Sequence, residues 1–180
     1  MKRIEELIIF ILDRAHMMGS ENLSTFQLFK IPYIIHVLSI KYAGIEFLPE
    51  VTFFRDKNGP ISMNIYSAIN NLRKKRFIDV NISQKDDYPH ERHCHKLNKK
   101  ISKWSFSNGE IIFLDNLLSE LLPLSLKKLK EYAYNTEPMK NIVNKERKEG
   151  IIKKGVIIDF STVTVDPDAV NAFSDTTDTI

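Results

Sequence analysis

The residue types most able to do chemistry lie together in one stretch, His90-Glu91-Arg92-His93-Cys94-His95. Imidazole nitrogens and a thiolate are ligands that zinc prefers. Structural zinc sites, however, usually combine two ligand pairs from separate elements, and this sequence offers no second pair. We therefore predict a polar hairpin tip with no metal and no cofactor. The candidates for an adventitious ion are His90, His93, Cys94 and His95.

A second group of functional candidates lies on a helix predicted from Ser62 to Arg76, which ends in four consecutive basic residues. Amide and cationic side chains on one helix face can contact bases and phosphates. The alternative is that the basic residues complement the helix dipole and stay solvated. Both interpretations stay open, and the candidate nucleic-acid contacts are Asn70, Asn71, Arg73, Lys74, Lys75 and Arg76.

Catalytic motifs are not found in the sequence. The six glycines are scattered singly, so they form no phosphate-binding loop. Cys94 forms no recognised nucleophile motif with the histidines near it, and the reactivity of a thiol depends on a lowered pKa that sequence does not reveal. We therefore predict that the protein is not an enzyme.

The composition is that of a globular protein, with 180 residues, 43% hydrophobic and 27% charged. One cysteine excludes an internal disulfide and favours a reducing compartment. The apolar run from Leu7 to Leu12 is far shorter than the roughly 20 residues of a membrane helix. We therefore expect a cytoplasmic protein that is not attached to a membrane.

Charge is distributed unevenly along the chain. The last 30 residues contain two lysines, Lys153 and Lys154, and five aspartates, so their net charge is −3. Because the whole chain has a net charge of +3, the first 150 residues carry +6. The polar and acidic residues from Pro167 onward predict a disordered tail. We divide the chain into a helical domain over residues 1–155 and, over residues 156–180, an extended segment followed by the acidic tail.

Hydrophobic periodicity predicts helices over about 4–18, 24–43, 62–76, 107–122, 125–134 and 139–149. Pro32 predicts a kink or a late start in the second helix. Residues 48–54 fit either a short helix or an extended segment. Alternating residues predict a strand over 77–82, with a partner near 101–106 and a long loop between them. The predicted fold is therefore mainly α, a helical domain with an embedded, winged-helix-like β-hairpin and a short extended segment near the C-terminus.

Several motifs resemble the Panacea (SocA-like) family of antitoxin domains across roughly residues 4–150. They are Phe29-Lys30-Ile31-Pro32-Tyr33-Ile34, Phe53-Phe54 ahead of Gly59-Pro60-Ile61, Ile69-Asn70-Asn71-Leu72 before Phe77-Ile78, Ser107-Asn108-Gly109-Glu110, and Tyr134-Asn135-Thr136-Glu137-Pro138-Met139. The most specific is Gly-Pro-Ile, which lies between an aromatic pair and an Asn-rich basic helix.

This resemblance implies a non-enzymatic antitoxin of prokaryotic or phage origin that binds and neutralises a toxin protein. A related family member is an adaptor that delivers its toxin to a protease, so a protease is a further expected partner. A winged-helix DNA-binding regulator is the alternative function. On the antitoxin interpretation, the expected partner contacts are Tyr33, Phe53, Phe54, Gly59, Pro60, Tyr66, Asn135 and Pro138.

Overall fold

The computed structural model describes residues 1–83 and 92–168, and in this part of the chain six helices dominate. The prediction of a mainly α protein is confirmed. The elements are α1 (Arg3–Met17), β1 (Leu23–Ser24), α2 (Thr25–Ala43), β2 (Phe54–Asp56), β3 (Gly59–Ile61), α3 (Met63–Lys74), β4 (Ile78–Ser83), β5 (Arg92–Leu97), α4 (Asn108–Leu121), α5 (Leu126–Tyr134), α6 (Glu137–Glu149) and a 3-10 turn (Phe160–Thr162).

Serine side chains cap four of the helices at the places that the sequence predicts. Ser24 and Gln27 form a capping box at the start of α2, and Ser107 and Glu110 form one at α4. The hydroxyls of Ser62 and Ser125 accept hydrogen bonds from the first turns of α3 and α5. Each cap satisfies backbone N–H groups that have no partner inside the helix, and so it fixes where the helix begins.

Helices α1 and α2 form the centre of the hydrophobic core. Nearly every residue from Ile4 to Leu12 is buried, and so is the stretch of α2 from Leu28 to Ser39. Helix α2 begins at Thr25 and continues through Pro32, so the late start considered from the sequence is wrong. It ends at Gly44, whose φ of 66° lies in the left-handed region that glycine adopts without strain.

Strands β1, β5 and β4 form a small antiparallel sheet, in that order. The predicted strand over 77–82 is confirmed as β4, but its predicted partner over 101–106 is wrong. The partner is β5, in which His95 lies opposite Val80 on one side and Leu23 on the other. The apolar residues of 101–106 pack in a loop instead, where the rings of Trp104 and Phe106 contact Phe10.

A second hairpin, β2–β3, lies between α2 and α3, so residues 54–56 are extended rather than helical. The segment after α6 adds a further antiparallel contact to it, because Val156 O accepts from Arg55 N at 2.8 Å and Ile158 N donates to Phe53 O at 2.9 Å. Ile158 and Val163 are buried in the core. The described residues 156–168 therefore pack on the helical domain, and the predicted disordered tail falls mostly on residues 169–180, outside the described residues.

The Arg55 side chain connects this hairpin to α5 and α6. Its guanidinium forms two parallel hydrogen bonds to the carboxylate of Glu146, at 3.0 and 2.9 Å, and a third to the hydroxyl of Tyr134 at 3.0 Å. Both charged groups are buried, Arg55 at 4% and Glu146 at 8% exposure. Burial alone would raise the pKa of Glu146, but the bonds from Arg55 and from the Lys153 N–H outweigh it and lower that pKa below its usual value.

No helix in the part of the chain that the structure describes is both long enough and apolar enough to cross a lipid bilayer.

We predict that Glu146→Leu destabilises the fold by about 3–5 kcal/mol, because it leaves a buried guanidinium without its counter-charge. The double variant Arg55→Met/Glu146→Leu should recover most of that loss, since it removes both buried charges. Free energies of unfolding from urea titration measure both effects. Glu149→Leu, which breaks only the exposed pair with Lys153, is the control and should cost under about 1 kcal/mol. Equal losses for Glu146→Leu and Glu149→Leu would contradict the role of the buried pair.

Candidate nucleic-acid interface

The outer face of α3 carries three of the six predicted nucleic-acid contacts at its surface. Asn70, Arg73 and Lys74 are exposed, and they line the angle between α3 and β4. Neither Arg73 nor Lys74 forms an ion pair with another described residue. These two cations therefore keep their charge available to a ligand.

The other three predicted contacts have different surroundings. Asn71 Nδ2 and Lys75 Nζ both donate to the carboxylate of Glu5, a residue of α1 with 2% exposure, at 3.3 and 3.1 Å. These two side chains therefore hold α3 against α1. Arg76 is exposed but has a φ of 57°, so it ends the helix in a left-handed conformation.

Of the eight predicted protein-partner contacts, most lie inside the molecule. Five are buried, which are Tyr33, Phe53, Gly59, Pro60 and Pro138. Their burial gives them a packing role in place of the expected surface contact. Phe54 is half-buried, while Tyr66 and Asn135 are exposed. Only these last three present surface to a partner.

The buried members of the Gly-Pro motif enclose a buried lysine. Lys30 Nζ donates to Pro60 O at 2.7 Å, and burial, which outweighs the attraction of Asp56, lowers the pKa of Lys30 to about 7. Gly59 has a φ of 95°, and a Cβ atom there would lie 2.9 Å from the Tyr134 ring. Glycine is therefore required both by the turn and by the close approach of α5.

The His/Cys cluster does not converge on one point. Consecutive residues of a strand point to opposite faces, so Cys94 lies on the other side of β5 from His93 and His95. Within residues 1–83 and 92–168, no three His, Cys, Asp or Glu side chains are placed to hold a metal ion. His90, the fourth candidate, lies outside the described residues.

A groove of about 950 Å³ runs between α3 and α5, and we call it the α3–α5 groove. Four other parts of the fold complete its walls and floor: β1, the start of α2, the β2–β3 turn and β5. None of the described residues that line it is acidic. The lining residues are Ser24, Thr25, Phe26, Asn58, Tyr66, Ile69, Asn70, Arg73, His93, His95, Leu126, Lys127 and Lys130.

His95 lies in this groove with one nitrogen bonded and the other free. Its Nε2 lies 2.8 Å from the Thr25 hydroxyl, while its buried Nδ1 has no hydrogen-bond partner among the described residues. Burial, and then the nearby charges of Arg73 and His93, lower the pKa of His95 to about 4. Burial is the larger cause of this shift, and the smaller contribution of Arg73 shows that its positive charge acts on the floor of the groove.

Sequence reasoning missed the α5 side of this groove. Lys127 and Lys130 are separated from Arg73 by more than fifty residues, and only the folded chain brings them to one surface. Lys130 Nζ donates to Asn58 Oδ1 at 3.3 Å, which fixes the α5 wall to the β2–β3 turn. The sequence signal was limited to three lysines among the first five residues of α5, a pattern that is also typical of a solvated helix face.

Comparison of this chain with protein-family models, with curated proteins and with solved structures found no match. The resemblance to the Panacea family therefore stays a prediction from the motifs.

We predict that the protein loses stability as the pH falls from about 6.5 toward 4, because His95 is neutral when folded and titrates near 6.5 when unfolded. A pKa lowered to about 4 corresponds to about 3 kcal/mol lost over this window. His36, whose pKa burial also lowers to about 4, should add a loss of the same sign. Unfolding titrations at several pH values measure the total.

In His95→Gln the amide can still bond Thr25 but does not titrate. The stability of this variant should fall less over the same pH window than that of the unmodified protein. Identical pH dependence in both proteins would contradict the buried, neutral state of His95.

Proposed function

We propose that this chain is a non-enzymatic DNA-binding protein, whose helix α3 and β4–β5 hairpin form a winged-helix-like unit. In this arrangement α3 is the recognition helix, and Asn70, Arg73 and Lys74 contact bases and phosphates. The hairpin is the wing, which lies beside the same groove of the duplex.

The observation that carries this proposal is the path of the chain through the small sheet. Strand β1 lies between α1 and α2 and pairs with β5, while β5 also pairs with β4. Winged-helix units have the same chain order: a helix, a short strand, two helices and a hairpin whose last strand pairs with the short strand. The β2–β3 hairpin is an insertion between the second and third helices of that order.

The charge of the surface supports the same proposal. Nucleic-acid affinity depends strongly on cations that neutralise phosphates. Arg73 and Lys74 lie at the exposed C-terminal end of α3, and the twelve residues of that helix include no acidic residue. The adjoining α3–α5 groove is lined by cations, histidines and amides together with the apolar residues Phe26, Ile69 and Leu126. Asp79 of β4 is the acidic residue that lines the angle between α3 and β4, so a phosphate chain would meet attraction at the end of α3 and along the α3–α5 groove.

We predict that the protein binds duplex DNA from the region upstream of its own gene at low salt. Arg73→Glu/Lys74→Glu should weaken binding about tenfold or more and reduce the slope of log affinity against log salt by about 2, since two phosphate contacts are lost. Fluorescence anisotropy over a salt series measures both quantities.

The matched control is Arg147→Glu/Lys148→Glu, which makes the same charge change in the exposed last turn of α6. It should keep both the affinity and the salt slope close to those of the unmodified protein. No binding by the unmodified protein at low salt would exclude the proposed function.

A second candidate function is neutralisation of a toxin protein, as the Panacea resemblance implies. The supporting observation is an apolar pair on the exposed face of α3, Met63 at 61% and Tyr66 at 42% exposure. Methionine and tyrosine are enriched in protein interfaces, where tyrosine often supplies much of the binding energy. The two functions are compatible, because an antitoxin can also repress its own gene.

We predict that co-expression with the product of the neighbouring gene restores growth and yields a complex. Met63→Glu should weaken that complex about tenfold or more, because it places a charge at the centre of the apolar pair. Pull-down and growth assays measure the effect. Met17→Glu is the control, since Met17 is equally exposed at the far end of α1. Absence of both a complex and growth rescue would exclude this candidate.

A further inference from the structure

We propose that the α3–α5 groove is a second DNA contact, in which Lys127 and Lys130 of α5 hold backbone phosphates opposite Arg73 of α3. This inference rests on the proposed DNA-binding function and extends the contact surface beyond the winged-helix-like unit. Helix α5 would then supply affinity that a recognition helix and a wing alone do not provide.

Cationic side chains lie on both sides of the α3–α5 groove. Arg73 lines one side of the groove, and Lys127 and Lys130 line the other. Neither lysine forms an ion pair among the described residues. In the described part of the chain, Lys130 Nζ donates to the neutral amide oxygen of Asn58 and lies 5.7 Å from the centroid of the Tyr134 ring, and neither group carries a negative charge. Three positive charges therefore face one space without compensation from the protein.

The floor of the groove contains His95, which has a ring nitrogen that is unpaired in the described part of the chain. His95 is 3% exposed and its Nδ1 has no hydrogen-bond partner in the described residues, although buried polar atoms are nearly always paired. His95 is largely neutral in the free protein, and a bound phosphate would favour its protonated form, in which Nδ1 is a hydrogen-bond donor. The unpaired nitrogen is thus a second observation, independent of the lysines, that points to a polar ligand at the groove floor.

Amide side chains and a tyrosine ring also line the groove. Asn58 and Asn70 offer amide groups, and the ring of Tyr66 is fixed by edge contact with Phe29 at a centroid distance of 4.5 Å while staying 42% exposed. Amides and aromatic rings beside cations are the side chains that contact sugars and phosphates in nucleic-acid complexes.

The test compares Lys127→Gln/Lys130→Gln with Lys128→Gln in binding to the upstream duplex by anisotropy. Lys128 is exposed on the same helix but does not line the groove, so it is the matched control. The double variant should lose about three- to tenfold in affinity and reduce the salt slope by about 2, while Lys128→Gln stays within about twofold of the unmodified protein. Thermal melting checks that each variant is folded.

A nuclear magnetic resonance titration of His95 supplies a second readout. Saturating duplex should raise the pKa of His95 in the unmodified protein and raise it less in the double variant.

If the double variant binds like the unmodified protein while Arg73→Glu/Lys74→Glu does not bind, the groove proposal is wrong and the DNA-binding function stands. If Lys128→Gln is as damaging as the double variant, general surface charge explains the effect and the groove proposal also fails. If the unmodified protein binds no DNA, both proposals fail.

Discussion

One buried ion pair, Arg55 with Glu146, connects elements that form the proposed interface to the rest of the fold. Arg55 belongs to the β2–β3 hairpin, whereas its partners Glu146 and Tyr134 belong to α6 and α5. A buried charge without its partner is strongly unfavourable, so the hairpin and the two helices are constrained to one geometry. Together with the packing of α5 on α2, that geometry places the lysines of α5 opposite α3. The ion pair therefore helps to position a surface to which neither of its residues belongs.

A second constraint is the low tolerance of this region for additional positive charge. Lys30 is buried beneath Phe26 and Gly59, with its pKa lowered to about 7, and His95 is held largely neutral. Inside, the protein limits ionisation because burial disfavours charge. Outside, Arg73 and Lys127 stay charged and unpaired among the described residues. The positive charge of this region is therefore carried mainly by side chains at the surface, where a phosphate chain can reach them.

The helix boundaries and the general fold class were predictable because they depend on local chemistry. Ser24, Ser62, Ser107 and Ser125 satisfy nearby backbone groups, and these caps are visible in the sequence. Strand β5 was not predictable from hydrophobic alternation, since its buried side chain, His95, is polar. The hydrogen bond that satisfies His95 Nε2 comes from contact with Thr25, seventy residues away in the sequence. Strand β1 has only two residues, which is too short for any periodicity.

The candidate site was predictable only in part, for the same physical reason. The amides and cations at the end of α3 follow one another in the sequence, so Asn70, Arg73 and Lys74 could be proposed. The structural roles of Asn71 and Lys75 depend on Glu5, and the groove depends on lysines from a distant helix. Likewise, the buried roles of Gly59 and Pro60 depend on Lys30 and Tyr134. Contacts between distant segments are not encoded in local spacing.

The most direct test of the central claim is a map of the binding surface by nuclear magnetic resonance, with isotope-labelled protein titrated at low salt with the upstream duplex. Our account predicts that backbone amide shifts change along α3, along β5 and at the start of α5. Amides of α6 and of residues 156–163, which lie away from this surface, should stay unchanged. Shifts confined to α6 and residues 156–163, or no shifts at all at low salt, would contradict the account.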